Sequence, residues 1–123
     1  MIDLVPTILE VAGGKRFETW DGQPVPPPPG KSLVPVFAKD GSVKHEYLWW
    51  SHEGNRAIRM GDWKLVAAGR KGPWELYNLS TDRNETNNLA ARHPDKVGEL
   101  AQAWEQRQNE FRKLALQDLP AGR

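Results

Sequence analysis

Residues 46–79, EYLWWSHEGNRAIRMGDWKLVAAGRKGPWELYNL, alternate short apolar or aromatic runs with turns that contain glycine. The runs lie at 47–50, 56–60, 63–67 and 74–79, and the turns between them lie at 53–55, 61–62 and 69–73. Aromatic and β-branched residues favour strands, and short glycine turns join antiparallel neighbours. This stretch therefore predicts a four-stranded antiparallel meander.

The first of these runs is apolar on both of its faces. Side chains alternate along a strand, so Tyr47 and Trp49 face one side of the sheet while Leu48 and Trp50 face the other. An antiparallel sheet with one solvated face would instead alternate apolar and polar residues. We therefore expect both faces of this sheet to be covered.

A long helix is predicted from about Pro94 to Leu116. Proline is well suited to the first helical position, and His93 precedes it as a neighbour of the cap. The apolar residues of the segment recur at helical spacing, at Val97, Leu100, Trp104, Phe111 and Leu114. Such a stripe predicts a helix that covers one face of the sheet.

The segment before the sheet carries weaker signals. Asp3 is predicted to cap a helix of about ten residues, which Gly13-Gly14 ends. Residues 15–31 show no periodicity, and their four consecutive prolines, Pro26 to Pro29, predict an extended surface spacer rather than a recognition motif. Ser32 is expected to cap a short helical turn from Leu33 to Phe37, and His45 to lie in a loop.

Together these elements predict an α+β fold: a four-stranded antiparallel β-meander packed against a long C-terminal α-helix, preceded by a short helix and a proline-rich loop. One helix covers only one face of the sheet. The second face requires either the remainder of a larger protein or a second copy that packs sheet on sheet.

Composition excludes several classes of protein. The chain has 123 residues, enough for about one domain, and 17 Lys+Arg against 16 Asp+Glu give a net charge of +1. The charges are evenly spread, which argues against a nucleic-acid partner, and no apolar stretch reaches membrane-spanning length. The start lacks the features of a signal peptide. The absence of cysteine excludes disulfides, thiolate zinc sites and a cysteine nucleophile.

Several runs resemble sequence patterns of the arylsulfatase-type sulfatases, the formylglycine-dependent sulfatase family. The resembling segments, in the family's order, are DLVPTIL at 3–9 with AG at 12–13, GKSLVP at 30–35, HEGNRAIRMGDWKLV at 52–66, and ELYNL at 75–79 with Asp82, Glu85 and NLA at 88–90. The sequence departs from the pattern at Pro29 and Asn78, where the family has aspartate, and at Arg83, where it has proline. The resemblance covers about 90 residues and points to the C-terminal portion of such an enzyme.

The resemblance implies a division of the chain. Residues 1–14 would form a helix of an N-terminal catalytic domain, 15–45 a linker with a short helical turn, and 46–123 a C-terminal subdomain. That catalytic domain would be the intramolecular partner covering the bare sheet face. The isolated chain would be prone to self-association. Full-length relatives are expected in the periplasm or outside the cell.

The resemblance also implies the hydrolysis of sulfate esters in a sulfated small molecule or glycan. The family's nucleophile is a formylglycine made from Cys or Ser in C/S-x-P-x-R, and a bound Ca²⁺ polarises the sulfate. This chain has no cysteine, and none of its four serines, Ser32, Ser42, Ser51 and Ser80, has proline two residues on. We therefore expect no catalytic residue and no metal ligand in this chain. Formylglycine and Ca²⁺ are expected in the N-terminal domain, and the isolated chain is expected to be inactive.

His52, Asn55 and Arg56 are the candidates for contact with substrate, because the resemblance places this turn at the rim of the active-site pocket. The alternative is that they bond across the domain interface or shape the turn. His52 and Glu53 are not expected to form a catalytic dyad, because neighbours on a strand face opposite sides. Arg59 and Lys64 are expected to form ion pairs or hydrogen bonds with the larger domain.

The tryptophans allow two interpretations. The residues concerned are Trp49, Trp50, Trp63, Trp74 and Trp104. Packing under the helix and at the interface is favoured, because a buried tryptophan contributes a large apolar area. Alternatively, they form a stand-alone carbohydrate-binding or protein-interaction module, with aromatic faces stacked on sugars.

Overall fold

The computed structural model describes residues 2–117. The elements are α1 (Leu4–Val11), β1 (Thr19–Trp20), β2 (Gln23–Pro24), α2 (Val34–Ala38), β3 (Leu48–His52), β4 (Asn55–Met60), β5 (Trp63–Ala67), β6 (Glu75–Asn78) and α3 (Pro94–Gln117). The chain divides into two compact units, Met1–His45 and Glu46–Arg123. No helix in the described part of the chain is long and apolar enough to cross a membrane.

The second unit contains the predicted meander. Its sheet has the order β3-β4-β5-β6 with every neighbouring pair antiparallel. The β3–β4 turn consists of Glu53 and Gly54, both at positive φ (49° and 88°), as a type I′ turn requires. Gly61, at φ 58°, opens the next two-residue turn. The prediction of a four-stranded antiparallel sheet with a terminal helix is confirmed.

The core lies between the sheet and α3. Trp49, Ile58, Leu65 and Leu76 stand opposite one another across the four strands and share one face, here called the inner face. Ile58, Leu65 and Leu76 are buried together with Leu100 of α3. Burial of each such side chain contributes about 1.5–3 kcal/mol of transfer free energy.

The opposite, outer face of the sheet is also partly apolar. Its middle row consists of Trp50, Ala57 and Val66, which are cross-strand partners. The Trp50 side chain remains 45% exposed. Because α3 is the only described helix of this unit and packs on the inner face, no helix among residues 46–117 covers the outer face.

The segment after β6 wraps along the edge of the sheet. The backbone N–H of Leu89 donates to the Leu76 carbonyl at 2.8 Å, and the Asn88 amide oxygen accepts the Leu76 N–H at 3.1 Å. The Asp82 carboxylate accepts the N–H groups of Asn87 and Thr86, and these bonds hold its pKa below the ordinary value. The polar turn predicted here is thus held by its own side chains.

In the first unit, Asp3 occupies the predicted N-cap position of α1, but its side chain does not cap the helix. The Asp3 side chain makes no capping bond to α1, because its backbone is already helical at φ −85°, ψ −11°. Its carboxylate instead accepts the Lys31 N–H at 2.7 Å and lies 2.9 Å from Nε2 of His45. Partial burial acts to raise the pKa of Asp3, but these two partners outweigh it and lower the pKa. His45 lies in a loop, as predicted, and is largely buried there as the partner of Asp3.

Two further features of the first unit depart from the expectation. A small hairpin, β1–β2, lies within the segment predicted to be irregular, and Asp21 and Gly22 form its turn at φ 49° and 74°. The short helix α2 begins at Val34, one residue later than predicted, with Leu33 at the N-cap position. The Ser32 hydroxyl still accepts the Val34 N–H, at 3.2 Å.

Two glycines of the second unit should respond oppositely to alanine. A Cβ at Gly72 would collide with the backbone carbonyl of Ala68, whereas a Cβ at Gly98, exposed in the second turn of α3, meets nothing within 4 Å. Gly72→Ala should lower the free energy of unfolding by about 1–3 kcal/mol. Gly98→Ala should raise it by about 0.5–1 kcal/mol. Urea denaturation followed by tryptophan fluorescence measures both, and shifts of the same sign would contradict this geometry.

Candidate functional site

The three predicted rim residues meet where the β3–β4 hairpin turns, here called the hairpin end. His52 and Asn55 are cross-strand partners on the outer face, and Arg56, paired with Ser51, lies on the inner face. The candidates are therefore adjacent in space but divided between the two sides of the sheet. Only His52 and Asn55 can face the same ligand.

Arg56 is held within the second unit. Its Nη2 donates to the Gly72 carbonyl at 2.8 Å, and its Cζ lies 4.4 Å from the Trp74 ring centroid and 5.9 Å from that of Trp104. The Arg56 Nε atom is buried with no hydrogen-bond partner among the described residues. A guanidinium that lies over Trp74 and close to Trp104 joins the sheet, the 69–73 loop and α3. This environment is that of a positioning residue.

Asn55 and His52 differ in their freedom. The Asn55 side-chain oxygen accepts the Gly69 N–H at 2.9 Å, so it ties the hairpin end to the loop between β5 and β6. The His52 side chain is 83% exposed, with Nε2 3.9 Å from Oε2 of Glu53, too far for a hydrogen bond. Glu53 lies in the turn, so the strand-alternation argument does not govern this pair, but its distance does not make a dyad. The side chains of His52 and Glu53 are both exposed at the hairpin end, and neither makes a hydrogen bond within residues 2–117.

Arg59 and Lys64 are cross-strand partners on the outer face. Lys64 Nζ lies 2.5 Å from Oε1 of Glu85, so its ion-pair partner belongs to this chain. The Nε of Arg59 donates to the Gly61 carbonyl at 2.9 Å. The sequence could not identify Glu85 as a partner, because it lies 21 residues from Lys64 along the chain.

Most of the candidate tryptophans pack against one another. Trp104 stacks on Trp49 with centroids 5.8 Å apart and meets Trp74 edge-on at 6.0 Å. Trp63 packs against the His93 ring at 5.4 Å. Trp50 differs, because its ring lies on the outer face and is half exposed. Within this unit, the geometry of Trp49, Trp63, Trp74 and Trp104 is that of a core rather than of an open sugar platform.

A tyrosine–carboxylate pair on the outer face was not predicted from the sequence. Glu75 and Tyr77 lie two residues apart on β6, and the phenol donates to the carboxylate at 2.5 Å. This hydrogen bond to Glu75, with burial and nearby carboxylates, raises the pKa of Tyr77 to about 12. The i, i+2 spacing of Glu and Tyr on a strand is the signal that could have found the pair.

The described residues do not fit the Ca²⁺ that the family resemblance implies. Among residues 2–117, no three His, Asp or Glu side chains come together in a way that could hold a metal ion. The Asp3 and Asp82 carboxylates accept backbone N–H bonds instead. We therefore derive no catalytic step through a metal in this part of the chain.

Comparison with known proteins found relatives that are named as sulfatases. No family model matches the chain. The chain is 37% identical over 113 residues to an uncharacterized sulfatase of Schizosaccharomyces pombe, a match covering 85% of this chain and 20% of the relative. It is 28% identical over 112 residues to arylsulfatase K of Danio rerio, covering 81% and 20%. The chain thus spans about a fifth of the length of the curated relatives it matches.

A solved structure shares the fold of the chain. A protein in complex with its substrate D-glucosamine-2-N,6-O-disulfate is 26% identical to the chain, with a TM-score of 0.57, and the match covers 90% of this chain and 24% of that one. The shared fold therefore extends over nearly all of this sequence.

Arg56→Lys tests the contribution of the stacked guanidinium. The variant keeps the charge but loses the planar group over Trp74, so the free energy of unfolding should fall by about 1–2 kcal/mol. Arg59→Lys, at an exposed position on the same strand, is the matched control and should change it by less than about 0.5 kcal/mol. Equal effects in thermal or urea denaturation would argue against the role assigned to Arg56.

Tyr77 should titrate at an unusually high pH. Tyr77 should ionise at about pH 12, well above a free phenol near 10. Because its pKa is higher in the folded chain than in the unfolded one, its stabilising effect is present below pH 10 and disappears as the pH rises towards 12. Ultraviolet absorbance titration measures the ionisation, and Glu75→Gln should lower the pKa. Tyr47→Phe, as control, should leave the high-pH step in place.

Proposed function

We propose that the chain is the C-terminal region of an arylsulfatase-type sulfatase and completes the substrate pocket of a sulfate ester hydrolase whose reacting groups lie elsewhere. The match to about a fifth of each relative carries this proposal. The sequence agrees with it, since it contains no cysteine and no serine followed two residues later by proline. Formylglycine and Ca²⁺ would then belong to a part of the sulfatase outside these residues.

The outer face of the sheet is the surface that would meet this catalytic part. Trp50, Ala57 and Val66 form an apolar row across three strands, and Trp50 is half exposed. Apolar surface of this kind is stabilised by a covering protein surface. The inner face already has its cover in α3. In the proposal, the intramolecular catalytic domain packs over the apolar row.

The hairpin end is the part of the chain that would approach the substrate. His52 is exposed and makes no hydrogen bond with any residue from 2 to 117, so its imidazole can donate to a sulfated substrate. Asn55 fixes the turn, and Arg56 fixes the neighbouring loop through Gly72. His52 would therefore be the contact residue, with Asn55 and Arg56 as positioning residues. A sulfated sugar is the proposed substrate class, since a structural neighbour was solved with a glucosamine disulfate as its substrate.

Activity measurements test whether hydrolysis requires the catalytic part of the sulfatase in addition to this chain. The 123-residue chain with Ca²⁺ should not hydrolyse 4-nitrophenyl sulfate. A chimera in which this chain replaces the matching segment of arylsulfatase K should do so, and its circular dichroism shows whether it is folded. Turnover by the chain alone, or a folded chimera that binds but never hydrolyses aryl sulfates, would contradict the proposal.

His52→Ala in that chimera tests the rim contact. Loss of one hydrogen bond to a charged sulfate should lower kcat/KM about tenfold. Glu53→Gln, an exposed change in the same turn, is the matched control and should leave kcat/KM within about twofold. If both variants behave like the parent, His52 does not contact the substrate.

A further inference from the structure

A second polar site lies on the outer face of the sheet, away from the hairpin end. It is a cleft of about 490 Å³ lined by Arg59, Leu79, Ser80, Arg83 and Glu85, here called the basic cleft. Arg59 comes from β4, and the other lining residues come from the segment that follows β6. The cleft has the size of a small-molecule site.

The charges of the basic cleft do not cancel. The Glu85 carboxylate is already paired with Lys64 at 2.5 Å. The Asp82 carboxylate, next to Arg83 in sequence, accepts the Thr86 and Asn87 N–H groups, each at 2.9 Å. Asp82 stays charged but does not line the cleft, whose lining has two arginines and one carboxylate, Glu85, which Lys64 already pairs. The two guanidinium groups therefore favour an anion in the cleft.

Both arginines have guanidinium N–H groups that make no hydrogen bond within residues 2–117 and can donate to a ligand. Arg59 uses only Nε, which donates to the Gly61 carbonyl, and its two terminal nitrogens make no hydrogen bond within residues 2–117. Arg83 makes no hydrogen bond or ion pair with any residue of the described part of the chain. A guanidinium presents its N–H groups as a planar fork that matches the oxygens of an oxyanion. The hydrogen bond from Nε to the Gly61 carbonyl fixes the orientation of the Arg59 guanidinium before a ligand binds.

The remaining walls suit a sugar that carries such an anion. Leu79 supplies an apolar surface, and Ser80 supplies a hydroxyl whose oxygen can accept a further hydrogen bond. The cleft volume exceeds that of a single oxyanion, so a ring can enter with it. Arg83 stands where the sulfatase pattern has proline, which makes this donor a feature of this chain and not of the pattern it resembles.

We propose that the basic cleft binds a sulfate group, either as the free ion or as an ester on a sugar, through Arg59 and Arg83. The choice of sulfate among oxyanions rests on the proposed function, whereas the anion site itself rests on the charges and free donors. In a sulfatase, such a site would hold a second sulfate of a multiply sulfated glycan or the released product. It lies apart from the rim residue His52, so the two sites can be tested independently.

NMR titration of the 123-residue chain tests the proposal. The probes are sodium sulfate and D-glucosamine 6-sulfate, with sodium chloride at equal ionic strength and unsulfated glucosamine as references. The amide signals of residues 79–85 and the side-chain Nε–H signals of Arg59 and Arg83 should shift saturably with the sulfated probes only. Saturation by both probes identifies an ester-accepting site, and saturation by sodium sulfate alone identifies a site for the free ion.

Three variants make the result specific. Arg83→Gln and Arg59→Gln should each raise the Kd for sulfate about tenfold, because each removes a charged hydrogen-bond donor. Arg112→Gln, an exposed arginine on α3, is the matched control and should bind as the parent does. Equal shifts in sodium chloride, or an unchanged Kd in Arg83→Gln with a well-dispersed spectrum, would overturn the proposal. Neither result depends on sulfatase activity, so it would leave the proposed function standing.

Discussion

Trp104 is the contact on which the second unit depends. Its indole N–H donates to the Trp50 carbonyl at 3.0 Å, while the Trp49 indole N–H donates back to the Trp104 carbonyl at 3.3 Å. Two reciprocal bonds fix both the rotation of the helix and its position along the sheet. Leu100, about one turn earlier, is thereby placed over the buried aliphatic row of the inner face. Hydrophobic burial supplies most of the energy, and the tryptophan pair supplies the orientation.

The same contact extends to the hairpin end. Trp104 meets Trp74 edge-on, and Arg56 lies over Trp74 and close to Trp104 before it reaches the Gly72 carbonyl. Gly72 in turn lies against the Ala68 backbone, which leaves no room for a side chain. The position of the exposed His52 is therefore set by packed groups on the other side of the sheet. A loop held in this way positions a ligand contact more precisely than a free one.

Local sequence patterns predicted most elements of the second unit. Several side-chain pairs in both units were not predicted, because their members lie far apart along the chain. The meander and the terminal helix follow from runs of apolar residues and their spacing, which need no knowledge of partners. Two pairs join distant residues: Lys64 with Glu85, 21 residues apart, and Asp3 with His45, 42 residues apart. No local pattern encodes such pairs. The β1–β2 hairpin was missed although Asp21-Gly22 is a hairpin signal, because two-residue strands show no periodicity.

The residues that carry the family resemblance are largely structural in this chain. Lys64 pairs with Glu85, Asn88 bonds to Leu76, and Arg56 bonds to Gly72, so each finds its partner inside the unit. The side chains of His52, Arg59 and Arg83 have polar groups that can contact a ligand or another protein surface. His52 and Arg59 lie on the outer face on either side of the apolar row Trp50–Ala57–Val66, with Asn55 and Arg59 about 13 Å apart along β4. An apolar centre with polar margins is the anatomy of a protein interface. A catalytic domain seated on that row would leave both polar ends at its margins, where a ligand can still reach them.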